Sequence, residues 1–280
     1  MLGPQIGFLA TRHGDPFWSE AERLSGYLER MEIDGVPALI EYTVENLRTQ
    51  AAFMADGQYT HETFESAFEA VYDNPEVMGR WYLPGLMLTH AFWPIHFEIH
   101  RFFAEKFVPS VPDQGVGAEF GYGHGLYLMD VLLAHPATRA KGLDVSRFAE
   151  PFASRLRAIV GISEERCVLG CGDVREAFPF PDRELSWAIL AEVLEHIPDP
   201  GFALRELCRC TQMDGPVFLT TVVDSNAVDH LHQFEDVPAI RSLIRESGLS
   251  IRHETVLRIA DFGNTRDPTL HFAAVCTPSE

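Results

Sequence analysis

Residues 118–125, AEFGYGHG, decide the fold of this chain, because three glycines alternate there between a short apolar run, residues 117–120, and a longer one, residues 126–134. Such an order predicts a strand, a glycine turn and a helix. Glycine lets the backbone turn sharply and lets a ligand approach closely. The spacing G-x-G-x-G differs from the G-x-G-x-x-G of dinucleotide sites, and the lysine of a phosphate-binding loop is absent. The sequence therefore predicts a ligand-binding turn of another kind.

Acidic residues follow the next two predicted strands. Asp144 ends the apolar run 140–143, and Asp173 comes shortly after the run 167–169. An acid after the second strand can accept hydrogen bonds from both ribose hydroxyls of a bound nucleoside. The carboxylate of Asp173 could accept one from an adenine amino group. Together with the glycine turn, this series predicts a nucleoside site at the carboxyl ends of the strands.

The second part of the chain alternates between short apolar runs and amphipathic stretches. The predicted strands are residues 117–120, 140–143, 167–169, 185–190, 217–223, 249–256 and 270–275. Strands that alternate with helices form right-handed crossovers and a parallel sheet. We therefore predict an α/β fold with a doubly wound, mostly parallel, Rossmann-like sheet of seven strands. The last two strands follow each other without a helix, which predicts an antiparallel hairpin at one edge.

Residues 1–112 have a helical pattern. Helices are predicted over residues 17–31 and 36–54, and Thr60 is predicted to cap a third helix. Pro84 and Pro94 are predicted to break the segment that follows. The apolar residues of the second helix are Leu39, Ile40, Val44, Leu47, Ala51 and Phe53. A connection rich in proline and glycine, VPSVPDQGVG (108–117), comes next. We predict a helical lid or substrate region over residues 1–112 and a ligand-binding domain over residues 113–280.

Composition and charge narrow the function. The chain has 280 residues, of which 46% are hydrophobic and 22% charged, which indicates a packed globular protein. Its 41 acidic and 22 basic residues give a net charge of −19, which disfavours nucleic acid as a partner. No apolar run is long enough to span a membrane and no signal peptide is evident, so we expect a cytoplasmic protein without a membrane partner. The five cysteines lack the spacing of a zinc knuckle, so no metal site is predicted.

The ordered series of motifs resembles the class I S-adenosylmethionine-dependent methyltransferases over about residues 117–278. The motifs are AEFGYGHG (118–125), GLDVS (142–146), GDVREAFPFPD (172–182) and ILAEVLEHIPDP (189–200). Ser186 departs from the pattern, since the family usually has an acid at the start of the fourth strand. The resemblance implies S-adenosylmethionine as the cofactor, with Glu119 under its methionine amino group and Asp144 on its ribose. It also implies cofactor contacts by Gly121, Gly123, Gly125, Asp173, Val174 and Ala191.

The helical extension contains a segment rich in aromatic residues. Eight of the 32 residues from 72 to 103 are aromatic, and His90, His96 and His100 lie among them. This segment either covers the site as a lid, with aromatic faces that attract a sulfonium cation, or packs as core on the sheet. His96 and His100 have the spacing of helical metal ligands, but no third ligand is evident. His230 and His232 follow the fifth predicted strand and could contact a substrate.

Two reactions fit these observations. The first is methyl transfer from S-adenosylmethionine to a small molecule, in which the protein aligns a nucleophile with the sulfonium methyl group. The alternative is cyclisation of the cofactor itself, as in azetidine-forming relatives of the family. Its amine attacks its γ-carbon and expels methylthioadenosine, which leaves azetidine carboxylate.

Residues for proton handling are harder to choose. The candidates that could accept a hydrogen bond from the attacking group are Tyr82, His90 and Glu192. His196 lies in a motif that recurs in the family for structural reasons, so it is not placed among them. A sensor protein that binds the cofactor without catalysis is a third hypothesis, and the sequence does not predict an oligomeric state.

Overall fold

The apolar runs of the second part of the chain form one sheet. A computed structural model describes residues 2–57, 59–231, 234–262 and 267–279. The strands are β1 (Gly115–Phe120), β2 (Thr138–Asp144), β3 (Cys167–Cys171), β4 (Trp187–Ala191), β5 (Val217–Val223), β6 (Leu249–Arg258) and β7 (Leu270–Pro278). The predicted seven-stranded α/β sheet is therefore confirmed.

The topology of the sheet places its ligand crevice. The strand order is β3-β2-β1-β4-β5-β7-β6. Strands β1 to β5 pair in parallel, whereas β7 pairs antiparallel with both β5 and β6, so the predicted edge hairpin is confirmed. The order reverses between β1 and β4, and ligands of open α/β sheets bind at such a reversal, outside the carboxyl ends of the strands. Glu119 of β1 pairs there with Gly142 of β2 and Ile189 of β4, which brings three of the motifs together.

Helices precede the sheet and cover its faces. Before β1, the described residues form α1 (Gly3–His13), α2 (Asp15–Arg30), α3 (Gly35–Asp56), α4 (Phe64–Ala67), α5 (Pro75–Val77), α6 (Leu83–Phe92) and α7 (Pro94–Phe102). The helices among the strands are α8 (Leu126–Ala134), α9 (Ala149–Ile159), α10 (Pro200–Cys210) and α11 (Val237–Glu246). None of the described helices is long and apolar enough to cross a membrane.

The ends of the amino-terminal helices differ from the prediction. Helix α1 is not predicted from the sequence; its proline lies in the first turn, where no backbone donor is lost. Thr63, and not Thr60, caps α4, since its side chain accepts a hydrogen bond from the Ser66 N–H. Pro94 begins α7 as predicted. Pro84 lies in the first turn of α6, directly after a π-helical turn, Met78–Tyr82, so the chain continues through it.

Helix α3 buries only two of the six apolar residues of its predicted pattern, Leu39 and Phe53. Ile40, Val44 and Leu47 are 39–47% exposed. Polar Thr49 and Gln50 are buried instead. Their side chains bond the loop after β5: Thr49 Oγ1 donates to the carbonyl of Asn226, and Gln50 Oε1 accepts from its N–H. These hydrogen bonds outweigh the hydrophobic pattern, because a buried loop must satisfy its backbone groups.

The extension and the sheet bury one hydrophobic cluster in common. Phe103 and Phe107, at the end of the extension, are fully buried. Both rings lie against Phe218 of β5, with centroids at 5.0 and 5.6 Å, and Phe107 also approaches Trp187 of β4. Part of the aromatic segment is therefore core. The boundary between residues 1–112 and 113–280 stays a prediction.

We expect Phe107→Ala to lower the free energy of unfolding by about 3–5 kcal/mol, because the substitution removes a fully buried ring from the core. If the extension and the sheet share that core, the chain still unfolds in one transition, which urea titration followed by circular dichroism measures. Leu133→Ala in α8 is the control, since Leu133 is 45% exposed. A variant in which the extension melts separately at low urea would contradict the shared core.

Candidate active site

The glycine loop after β1 is shaped by residues with a positive φ. Gly121 and Gly125 have φ of 72° and 77°, a region that side chains disfavour. A Cβ on Gly121 would lie 2.6 Å from Val193, so no larger residue fits there. The Gly121 N–H donates to the Leu143 carbonyl at 2.7 Å. The loop thus turns back across the end of β2.

Asp144 connects the loops that follow β1 and β2. Its Oδ2 accepts from the Gly123 N–H and its Oδ1 from the Ser146 N–H, each at 2.8 Å. Burial raises the pKa of Asp144, and these two hydrogen bonds act against the rise. Each carboxylate oxygen keeps a second lone pair, so the side chain can still accept from two hydroxyl groups.

Two further predicted cofactor residues are held by nearby groups. Glu119 is 2% exposed, and its Oε2 accepts from the Leu128 N–H of α8 at 3.0 Å. Burial raises its pKa well above the usual value. Asp173 binds Arg175 with both carboxylate oxygens, at 2.8–3.1 Å. The predicted contact between Asp173 and adenine therefore has a basic competitor, and it stays a prediction.

A cavity of about 440 Å³ separates the carboxyl ends of the strands from the amino-terminal helices. Its size falls within the range for small-molecule sites. Gly125 does not line it and packs instead towards Ala153 of α9. The predicted site residues that do line it are Tyr82, His90, Glu119, Gly121, Gly123, Asp144, Asp173, Val174, Ala191 and Glu192. The structure therefore brings the predicted cofactor and catalytic residues, with the exception of Gly125, to one cavity.

Tyr82 bonds a carboxylate in the loop after β5. Its hydroxyl donates to Oδ2 of Asp229 at 2.5 Å, and that of Tyr72 donates to the same oxygen at 2.8 Å. Burial raises the pKa of both tyrosines well above the usual value, and the charge of Asp229 adds to the rise. Burial acts to raise the pKa of Asp229 as well, but His196, His230 and the two hydroxyls outweigh it, so that pKa is lowered. Tyr82 is thus a hydrogen-bond donor at neutral pH, and a poor proton acceptor.

His90 lies within a group of buried imidazoles. Its ring centroid is 5.1–5.7 Å from those of His96, His100 and His124. Burial, reinforced by these neighbours, lowers its pKa well below 6.5, and its Nδ1 has no hydrogen-bond partner among the described residues. His96 and His100 do not converge on a shared ligand, since His96 contacts Thr89 and His100 pairs with Asp130. His90 is therefore neutral, lines the cavity and keeps one ring nitrogen without a hydrogen-bond partner among the described residues.

Glu192 follows β4 in a strained conformation. Its φ is 51°, and its N–H donates to the carbonyl and hydroxyl oxygens of Thr220. Its carboxyl Oε1 is buried without a hydrogen-bond partner among the described residues, and its Oε2 is 3.9 Å from His271 Nδ1. Burial, together with the charge of Glu195, raises the pKa of Glu192 to about 8. The strained backbone thus places in the cavity wall a carboxyl group with one oxygen that lacks a hydrogen-bond partner.

Comparison with known proteins identifies the family of the domain that contains the sheet. Residues 118–219 match the family described as a methyltransferase domain. The chain carries a class I methyltransferase domain. A methyltransferase domain of this class takes its methyl group from S-adenosylmethionine, so the protein is an S-adenosylmethionine-dependent transferase. The resemblance that the motifs indicate is confirmed. A search of curated proteins finds no match.

Solved structures share the fold of this methyltransferase domain at low identity. The [4+2]-cyclase SpnF is 18% identical, with a TM-score of 0.55 over 68% of this chain and 83% of its own. Geranyl diphosphate methyltransferase in complex with S-adenosylmethionine is 11% identical, with a TM-score of 0.54 over 75% of this chain and 94% of its own. An S-adenosylmethionine-dependent methyltransferase from Mesorhizobium loti is 13% identical, with a TM-score of 0.51 over 65% of this chain and 96% of its own. At these identities the likeness shows the fold alone.

Several residues that line the cavity of the methyltransferase domain are missed from the sequence. Asp229 and Glu195 are both buried beside the predicted Glu192. His230 lines the cavity as the sequence suggests, whereas His232 lies outside the described residues. A carboxylate in a loop carries no local signal, since only the fold brings the end of β4 and the loop after β5 together.

The buried histidines make stability depend on pH. Burial lowers the pKa of His96 to about 4, so this ring stays neutral in the folded chain and takes up a proton only on unfolding below about pH 6.5. The contribution of the neutral His96 ring to the free energy of unfolding is therefore fully present above about pH 6.5 and is lost as the pH falls. Between about pH 7.5 and pH 5.5, the free energy of unfolding of the wild type should therefore fall by about 1 kcal/mol more than that of His96→Asn, which lacks this histidine.

Chemical denaturation at both pH values measures this difference. The absolute cost of placing asparagine in α7 cancels, because only the change with pH is compared. His253→Asn is the matched control and should show no such difference, since His253 is exposed. Equal pH dependence of His96→Asn and the wild type would show that His96 is not held neutral.

Proposed function

We propose that this protein transfers the methyl group of S-adenosylmethionine to a small molecule enclosed between the sheet and its amino-terminal helices. One observation carries the proposal: the glycine loop and Asp144 line the same cavity as Tyr42, Tyr82 and Trp93 of the extension. A cavity of about 440 Å³ under a helical cover suits a small acceptor. The net charge of −19 disfavours a nucleic-acid substrate.

The loops after β1, β2 and β3 would hold the cofactor. Gly121 and Gly123 form the turn against it, Asp144 accepts from its ribose hydroxyls, and Glu119 lies below its amino-acid end. The main chain near Val174 faces the adenine, and Ala191 faces the methionine end. S-adenosylmethionine supplies an electrophilic methyl group on a sulfonium sulfur. The residues fit this group, because Asp144 retains free acceptor lone pairs and the glycine loop admits close approach of a ligand.

The extension would act as the cover of the reaction site. Tyr42, Tyr82 and Trp93 line the cavity, and the faces of aromatic rings attract a sulfonium cation. Their polar atoms are satisfied elsewhere, as Trp93 Nε1 donates to Thr43 and Tyr82 donates to Asp229. The rings can therefore exclude water from the reacting centre without leaving buried donors unpaired.

We assign to Glu192 the role of taking up the proton that the acceptor molecule loses on methylation. Glu192 lines the cavity at the carboxyl end of β4, next to Ala191, and its Oε1 has no hydrogen-bond partner among the described residues. In this position it can accept a hydrogen bond from a hydroxyl or amine that attacks the methyl group. His90 is a second acceptor on the opposite, helical wall. Tyr82 serves as a donor to Asp229 and takes no proton.

Incubation with S-adenosylmethionine, alone and with pools of hydroxyl, amine and thiol compounds, tests the reaction. Mass spectrometry should detect S-adenosylhomocysteine and a methylated product only when an acceptor is present. Methylthioadenosine released from S-adenosylmethionine alone would instead support the intramolecular cyclisation. If calorimetry detected no binding of S-adenosylmethionine or of S-adenosylhomocysteine, both reactions would be contradicted.

Asp144→Asn should weaken the binding of S-adenosylhomocysteine by about 10-fold to 100-fold, because hydrogen bonds to a charged group contribute about 1.5–3 kcal/mol. The substitution turns one acceptor oxygen into a donor that faces the Gly123 or Ser146 N–H. Isothermal titration calorimetry measures the affinity. Asp113→Asn is the control, since the Asp113 side chain is 93% exposed. Wild-type affinity in Asp144→Asn would remove Asp144 from the cofactor site.

Glu192→Gln should slow product formation by about 100-fold or more, the usual contribution of a general base, while the affinity for S-adenosylhomocysteine stays close to that of the wild type. Glutamine keeps the size of the side chain and loses its ability to take up a proton. The rate of nucleoside product formation and calorimetry give the two quantities. Glu184→Gln, at an exposed position, is the control. An unchanged rate would assign the proton to another group.

A further inference from the structure

Glu195, His196 and His230 converge beyond the end of β4, and the proposed methyl transfer uses none of them. One ligand atom from each residue lies within 4.8 Å of the other two. Glu195 and His196 are adjacent in the 3-10 turn Leu194–His196, and His230 comes from the loop after β5. The two segments are tied together, since the Leu231 N–H donates to the Glu195 carbonyl at 2.9 Å. All three side chains line the cavity.

The main chain orients both imidazole rings. His196 Nδ1 is 3.0 Å from the Asp229 carbonyl oxygen, and His230 Nδ1 is 3.1 Å from the Ser225 carbonyl oxygen. Because a carbonyl oxygen only accepts, each Nδ1 carries a proton and donates it to the bond. In a neutral ring, Nε2 then keeps a free lone pair. Histidines that bind metal ions are commonly oriented through such a bond from the other ring nitrogen.

The carboxyl group of Glu195 has one oxygen fixed and one free. The residue is fully buried, and its Oε2 accepts from Thr221 Oγ1 at 2.8 Å. Its Oε1 has no hydrogen-bond partner in the described part of the chain and lies 3.8 Å from His196 Nε2. Asp229, also buried, places a second carboxyl group next to His196. A buried, unpartnered carboxyl oxygen is unfavourable, and a bound cation would satisfy it.

We propose that Glu195, His196 and His230 bind a divalent transition-metal ion. Two imidazole nitrogens and one carboxylate suit Zn²⁺, Fe²⁺ or Co²⁺, whereas Mg²⁺ and Ca²⁺ prefer oxygen ligands alone. Ligand atoms at about 2.1 Å from one ion are about 3.0–3.4 Å apart, so the three side chains would approach one another by about an ångström on binding. Three protein ligands leave positions open towards the cavity, as catalytic metal sites do. A hydroxyl or carboxylate oxygen of a bound molecule would complete the coordination.

Metal titration of the full chain, without a histidine tag and after removal of metal by a chelator, tests the site. Co²⁺ should bind with a stoichiometry of one and give visible absorption bands, and Zn²⁺ should displace it. Zn²⁺ should also raise the melting temperature, because it binds the folded chain in preference. Absence of stoichiometric binding by both ions would overturn the proposal.

Four variants locate the ion. Glu195→Gln keeps the acceptor for Thr221 but loses the anionic ligand, and His230→Ala removes a ring; each should weaken Zn²⁺ binding by at least about 100-fold, more than loss of a supporting group does. Thr221→Val removes only the bond that orients Glu195 and should weaken binding by about 10-fold to 100-fold. His96→Asn, in the other group of histidines, should bind Zn²⁺ as the wild type does.

Circular dichroism of each variant confirms that it is folded. Wild-type affinity in folded Glu195→Gln and His230→Ala, or loss of binding in His96→Asn, would place the metal elsewhere and overturn the proposal. Calorimetry with S-adenosylhomocysteine on the same samples reports the cofactor site separately. The metal site and the proposed methyl transfer can therefore fail independently of each other.

Discussion

The contact on which the site depends is that between the Asp144 carboxylate and two main-chain N–H groups, from Gly123 and Ser146. A glycine loop with positive φ has many alternative conformations, and its entropy is lost when it is fixed. Asp144 fixes it from the neighbouring strand, so the loop after β1 and the loop after β2 form one surface. Since the carboxylate is buried, those two donors also offset part of the cost of keeping its charge away from water.

The extension is coupled to this surface through polar contacts. Ser146 Oγ donates to the Tyr72 carbonyl at 2.5 Å, which joins the loop after β2 to the aromatic segment. Tyr72 and Tyr82 then bond Asp229 in the loop after β5. Most buried polar groups in folded proteins have a hydrogen-bond partner. The hydrogen bonds that satisfy these groups therefore also hold the aromatic segment against the loops of the sheet.

Features with a local signal were predictable from the sequence. The strands, the edge hairpin and the position of Asp144 follow from apolar runs and from one acid at a strand end. The buried face of α3 was not predictable, because Thr49 and Gln50 are buried through bonds to Asn226, far along the chain. The tertiary fold also decides which residues of the aromatic segment belong to the core and which line the cavity. Phe103 packs on β5, whereas Tyr82 lines the cavity. Periodicity reports that a residue is apolar, and it does not report what the residue contacts.

The two walls of the cavity differ in kind, and this difference bears on the chemistry. Aromatic rings alone would attract a sulfonium cation, yet the carboxyl groups of Glu192, Glu195 and Asp229 line the cavity on the side of β4 and β5, and those of Glu195 and Asp229 are buried. Asp229 is stabilised by two tyrosine hydroxyls, whereas Glu192 and Glu195 each keep one oxygen without a hydrogen bond in the described chain. Burial raises the pKa of both glutamates, to about 8 and about 7 respectively. A hydrophobic core without a function would be apolar at these positions, because buried carboxyl groups reduce stability unless hydrogen bonds or opposite charges compensate them. The carboxyl groups on the side of β4 and β5 can therefore accommodate a proton, a cation or a polar substrate group, which is compatible with the proposed binding of the nucleoside by the loops after β1 and β2.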